Sequence, residues 1–428
     1  MDSVSDVRID MGYIVNFYVL SKFYTIGENV QVRSAFQNNP DFFFGLFIYA
    51  LLVLACVDRG IILSPDSMAY GEWADKLIEV NFSLQAFFEE GKSLYSIFYL
   101  MPTLLMSFCK IVAGEFWSET FFIFNMIFLA LSIWILIISL RLVGVRKGLI
   151  AGLTPLLFVT DFQLWPSYVL TDTLFAFLVI SSIYFSYRLS FFHKKYIPAA
   201  LLFFSLLIFS RPVGPVVSFL LIFSLILTLT LKTNLLVRIV FPATIFSLFA
   251  FGLIYGVFFE YYFSLEEVET ISAFENFVRN NHAIKEGMAN FIQRGTVVHD
   301  RSDTNLIVNL TSLGIAKLYI IRVLYFFMPI ASTYSIIHNV ANILILGSFF
   351  FGILLWIYFI FGKHQLNQNL CRLMFFLVII IFGLAFFQAI NFIDWDWRYR
   401  FPTILPMLMI FVTSIEQWLQ LKGATILE

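Results

Sequence analysis

Charge is sparse in this chain. Asp, Glu, Lys and Arg make up 13% of its 428 residues, against 60% hydrophobic residues. That is too little polar surface to cover a water-soluble core of this size. The net charge of −1 removes nucleic acid as a partner class. Three cysteines, Cys56, Cys109 and Cys371, stand far apart and form neither a metal-ligand spacing nor a disulfide framework. Residues 1–41 contain no apolar h-region, so they read as a cytoplasmic leader rather than a signal peptide. A glycine-rich phosphate loop, a Ser/His/Asp arrangement, a tandem repeat and a low-complexity tract are all missing.

Long apolar runs are present instead. A bilayer span needs about 20 apolar residues, and ten segments qualify or come close: 42–57, 121–140, 149–165, 173–187, 196–210, 213–231, 239–259, 340–361, 373–392 and 401–419. The fold class expected is therefore an all-α polytopic membrane protein. Its membrane-embedded domain runs over 42–421 and is followed by a cytoplasmic tail at 422–428. Two further apolar stretches, 94–112 and 313–328, either cross or lie at the interface.

The basic residues decide between these readings. If both stretches stay on one side, Arg141, Arg146, Lys147, Arg188, Lys194, Lys195, Lys232, Arg238, Lys363, Arg372 and Lys422 all fall on one face, as positive-inside asymmetry requires. Pro102 in the first stretch, and Lys317 and Arg322 in the second, point the same way. The expectation is ten spans, both termini inside, and two long outer loops at 58–120 and 260–339, each with an interfacial helix. Loops of that length are usually functional.

Spans 213–231, 239–259 and 340–361 carry no ionisable Asp, Glu, Lys, Arg or His, which disfavours a transport path through the bilayer. The polar chemistry gathers at the outer ends of helices. Asp66, in Ser64-Pro-Asp-Ser-Met-Ala-Tyr70, is the candidate general base; its bland alternative is a helix cap. Asp172, in Leu170-Thr-Asp-Thr, either orients an acceptor or caps a helix. Arg398 and Arg400 suit a phosphate by forked hydrogen bonds, or sit in an aromatic belt with Trp395, Trp397 and Tyr399. Lys92 and Arg211 are further cations at outer helix ends, where snorkelling is equally good an account. A divalent metal stays open through His282, Glu286, His299, Asp300 and Asp303, whose spacing matches no established ligand pattern. Lipids are the co-reactants available at this depth, and a lipid-linked phosphosugar is a donor with a good leaving group.

These residues carry a resemblance. Asp66, Ser67, Tyr70, Ala74 and Leu77 match a first-loop pattern Asp-Ser-x-x-Tyr-x-x-x-Ala-x-x-Leu. Lys92 precedes a juxtamembrane segment ending at Pro102, Asp172 opens a span, Arg211-Pro212 forms a turn, and Arg398-Tyr-Arg-Phe-Pro402 enters a late span. In that order, over 42–419, the chain resembles GT-C superfamily glycosyltransferases, the bacterial relatives of protein O-mannosyltransferases and the lipid A aminoarabinose transferase. It departs from many relatives in having Ser67, not a second acid, after Asp66.

The resemblance implies transfer of a sugar, with inversion, from a polyprenyl-phosphate-linked donor to a lipid, glycan or protein acceptor on the extracytoplasmic face. Asp66 and Asp172 would be catalytic, and Tyr70, Lys92, Arg211, Arg398 and Arg400 would bind substrate. Amino-acid usage rich in Phe, Ile and Asn with little Pro fits an AT-rich bacterial genome, and the location expected is a bacterial inner membrane with the active site facing outside. The alternatives are a surface-polysaccharide polymerase or ligase using a diphosphate-linked glycan, a lipid-linked-sugar flippase, and a non-catalytic membrane partner.

Overall fold

In lipid the backbone has no water to bond, so helices that satisfy their own N–H and C=O groups are the favoured spanning form. The computed structural model describes residues 40–89, 94–159, 165–191, 194–231, 239–240, 242–250, 254, 296–298, 307–309, 312–330, 336–362, 367–390 and 397–427, and they are overwhelmingly helical. In chain order the helices are α1 (Pro40–Arg59), α2 (Pro65–Glu79), α3 (Leu84–Glu89), α4 (Leu100–Ala113), α5 (Trp117–Leu142), α6 (Lys147–Ala151), α7 (Thr154–Val159), α8 (Asp172–Leu189), α9 (Ile197–Ile208) and α10 (Gly214–Thr230). A short antiparallel pair, β1 (Thr296–Val298) and β2 (Ile307–Asn309), precedes α11 (Ser312–Phe326), α12 (Ile336–Phe361), α13 (Gln368–Ile390) and α14 (Ile404–Leu427).

Four stretches among the described residues are long and apolar enough to cross a membrane: Ile97–Leu142, Ile336–Phe361, Gln368–Ala389 and Arg400–Gly423. The chain is thus an all-α membrane protein, but ten spans are not seen. The expected span 149–165 is broken into α6 and α7 by the turn at Gly152-Leu153. At 12 residues α9 reaches only about 18 Å, and at 17 residues α10 is also short. Of the expected span 239–259, residues 239–240, 242–250 and 254 are described, and 242–250 are helical; the leader before residue 40 and most of the loop 260–339 lie outside the described residues. The stretch 94–112, expected at the interface, joins the apolar run Ile97–Leu142. That run turns at Gly114, whose φ of +56° is a left-handed value that suits glycine.

Three helices form the centre. Every described side chain from Thr171 to Ile183 is buried, and so is each from Arg400 to Ile410; most of α13 is buried too. A helix hydrophobic on all sides belongs in a core. Rings fill the spaces between helices: Phe327 stacks on Phe349 at 5.9 Å and tilts against Phe382 at 5.3 Å, while Phe128 stacks on Phe177 at 5.4 Å. Where helices come closest, a small residue is needed. A Cβ on Gly352 of α12 would stand 2.9 Å from the Cα of Phe411 on α14.

The two ends of the bundle differ in chemistry. At one end, Glu416 is 1% exposed and accepts from the Arg146 backbone N–H at 3.0 Å and its Nε at 3.3 Å. Nearby turns are joined by the Asn367 N–H to Gln417 Oε1 (3.0 Å) and by Arg372 Nη1 to the Ser190 carbonyl (2.8 Å). Arg141, Arg146, Arg188, Lys194, Lys195, Arg372 and Lys422 all belong to helix ends or turns on this side. Lys232, Arg238 and Lys363 lie outside the described residues. The opposite end gathers the start of α2, the start of α8, the end of α9 and the turn Trp397–Thr403.

Placing a branched side chain in the α12–α14 contact tests this packing. Gly352→Val is expected to lower the thermal midpoint in detergent, with an overpacking cost of about 1–3 kcal/mol. Gly347→Ala, where a Cβ meets nothing within 4 Å, should leave that midpoint unchanged.

Candidate functional site

The chain leaves α1 at Arg59 and is caught by a short bridge: the Ile62 N–H donates to the Ser167 carbonyl (2.9 Å), and the Val169 N–H donates to the Ile62 carbonyl (3.1 Å). Helix α2 then begins with a reciprocal cap. The Ser67 N–H donates to Ser64 Oγ (3.2 Å) and the Ser64 N–H to Ser67 Oγ (3.0 Å), with Pro65 at the first helical position. Asp66 is therefore not the cap. It sits partly buried in the first turn, where the helix N-terminus favours a carboxylate.

Asp172 opens α8, and it too is not the cap. Thr171 holds the N-cap position without a side-chain capping bond. Instead the Asp172 carboxylate takes a very short hydrogen-bonded ion pair from Arg211 Nη1. Both partners are sealed, at 1% and 5% exposure. Arg211 is placed by the tight turn that follows α9, in which the Gly214 N–H donates to the Arg211 carbonyl at 2.8 Å. A Cβ at Gly214 would collide with the Leu207 carbonyl oxygen at 1.8 Å, so the turn admits only glycine. The guanidinium also lies 5.8 Å from the Phe175 ring centroid.

Tyr70 connects the two acids. It lies one turn beyond Asp66 on α2, is 7% exposed, and packs against Tyr99 (5.2 Å) and Trp73 (5.6 Å), which meet each other at 5.8 Å. Burial pushes its phenol well above the usual tyrosine range; Tyr99 adds to the rise, Arg211 opposes it, and Asp66 and Asp172 add to it. Asp66, Asp172 and Arg211 thus each lie within electrostatic reach of Tyr70, although they come from three separate parts of the chain.

The remaining candidates are placed otherwise. Arg400 is 3% exposed and committed to structure: Nη1 donates to the Phe326 and Met328 carbonyls, each at 3.1 Å, and Nη2 to Asn342 Oδ1 at 2.5 Å. It closes the C-terminal end of α11 and ties it to α12. Arg398 lies on the turn Trp397–Thr403, but its side chain, like Lys92, lies outside the described residues. The histidines and acids of 282–303 lie outside them as well. Among the described residues no three His, Cys, Asp or Glu side chains gather.

Sequence reasoning overlooked three polar residues at this end. Asn342 is buried in α12, and its signal was an amide inside an apolar run. Arg322, 1% exposed on α11, was read as a mark of the interface, whereas it is enclosed. Lys110 of α4 pairs with Asp75 of α2 at 2.7 Å.

Removing one member of a buried pair leaves the other charge uncompensated. Arg211→Met is expected to destabilise the fold by about 3–5 kcal/mol, read as a lower thermal midpoint in detergent; adding Asp172→Asn should recover part of that loss. The tyrosine predicts an alkaline effect. A pKa raised on folding contributes stability that is complete below the ordinary tyrosine value of about 10 and is lost as pH rises through the folded value. Thermal midpoints of the wild type should therefore fall more steeply above about pH 10 than those of Tyr70→Phe.

No protein-family model, no curated protein and no solved structure matches this chain, so what it does must be argued from the chemistry of the site.

Proposed function

We propose that the chain is a membrane glycosyltransferase of GT-C type that moves a sugar from a polyprenyl-phosphate-linked donor to an acceptor hydroxyl at the outer surface of a bacterial inner membrane. The observation that carries this reading is the convergence of Asp66, Tyr70, Asp172 and Arg211 at one end of an apolar bundle. The basic turns lie at the other end, which supports, by the positive-inside rule, a reading with these four residues on the outer face.

In this mechanism Asp66 takes the proton of the acceptor hydroxyl as its oxygen attacks the anomeric carbon. The bond from that carbon to the donor phosphate breaks, the phosphate keeps the electron pair, and the configuration inverts. Asp172 and Arg211 neutralise each other and form a fixed polar element within electrostatic reach of Tyr70. The departing phosphate calls for cations. Lys92 and Arg398 are suited to that role, whereas Arg211 is neutralised by Asp172 and Arg400 is held by backbone carbonyls.

The test uses the full chain in nanodiscs with a polyprenyl-phosphate hexose and membrane-lipid acceptors. Asp66→Asn should reduce transfer by about a hundredfold or more while the thermal midpoint stays near that of the wild type. Undiminished turnover by Asp66→Asn would remove Asp66 as the base. Transfer only from a diphosphate-linked glycan would make the protein a polymerase or ligase instead.

A further inference from the structure

Helix α2 carries both Asp66 and Tyr70, yet it is a 15-residue segment outside the central helices. Before Asp66 it is held by the bridge at Ile62. After Tyr70 it is held by α4. Ser107 Oγ donates to the Ala74 carbonyl at 3.2 Å, and Lys110 Nζ donates to the Gly71 carbonyl at 2.9 Å and to Asp75 Oδ2 at 2.7 Å. The same ammonium stands 5.1 Å from the ring centroid of Trp117 on α5. One cation therefore joins three helices at the residue directly after Tyr70.

The contacts differ in strength. Asp75 is 55% exposed at its side chain, so its ion pair is screened and weak. Lys110 is 16% exposed at its side chain, and its bond to the Gly71 carbonyl is partly buried, which makes it the stronger hold.

We propose that Lys110 is a positioning residue: by gripping the Gly71 carbonyl it sets the rotation and height of α2, and through α2 the place of Asp66 beside Tyr70 and the Asp172–Arg211 pair. The catalytic consequence rests on the glycosyltransferase reading; the positional claim does not. Misplacing a catalytic group by about 1 Å costs on the order of a hundredfold in rate.

The experiment therefore has two arms. In the first, Asp66→Cys is labelled with a water-soluble maleimide from pH 6 to 10 in the full chain, with Lys110 intact, with Lys110→Met and with Lys110→Arg. Lys110→Met should raise the labelling rate about threefold or more and move the midpoint of its pH profile toward that of an exposed thiol (about 8.5). Lys110→Arg, which keeps a donor for the carbonyl, should restore both. Asp75→Asn, which removes only the screened pair, should change the rate less than twofold. An unchanged rate and midpoint in Lys110→Met, or an effect that Asp75→Asn reproduces in full, overturns the proposal.

In the second arm, with Asp66 intact, Lys110→Met should lower kcat for sugar transfer about 10- to 100-fold with the donor KM nearly unchanged, and Lys110→Arg should recover most of it. If the wild type transfers no sugar, the enzymatic reading fails while the labelling arm still decides the role of Lys110.

Discussion

A carboxylate and a guanidinium sealed in an apolar bundle must find each other, because neither tolerates the surroundings alone. Asp172 and Arg211 meet that demand across the start of α8 and the end of α9. The pair fixes how those two helices join at one end of the bundle. It also lays down a polar spot within electrostatic reach of Tyr70. Gly214 shapes the turn that delivers Arg211, and the buried run from Thr171 to Ile183 encloses the acid. Geometry at this end follows from satisfying two buried charges.

Much of this was legible in the residues. The composition required a membrane fold, and the order of basic turns grouped Arg146, Arg188 and Arg372 at one end, where bonds from Arg146 to Glu416 and from Arg372 to Ser190 now join those turns. The pattern from Asp66 to Leu77 falls within a single helix, α2. Asp66 and Asp172 were each open to reading as helix caps, because Asp is a common cap and no sequence shows which residue takes the role. The structure gives the capping at α2 to Ser64 and leaves Asp172 to an arginine 39 residues away, a contact that only tertiary packing creates.

Other features were hidden for physical reasons. Arginine beside an aromatic belt reads alike whether it faces lipid phosphate or helix carbonyls. Arg400 takes the second course because α11 ends next to it with its last carbonyls in need of donors. The span count went astray where Gly152 breaks one apolar run and where α9 ends after 12 residues. Hydropathy measures how apolar a segment is, not where its helix stops.

The C-terminal helix α14 is held at both extremities. Arg400 ties the turn that feeds it to α11 and α12, and Glu416 ties its far half to the turn after α5. Its first two turns are wholly buried between these anchors. A beam fixed at each end and clasped along its length is stiff, and sliding or tilting it would expose a buried carboxylate and a buried guanidinium together. Compliance therefore falls to the periphery, where α2 rests on α4 through the small apolar patch of Tyr70, Ala74, Met106 and Cys109 and the bonds from Ser107 and Lys110. Thermal motion at the rim can then proceed while the central helices keep their register.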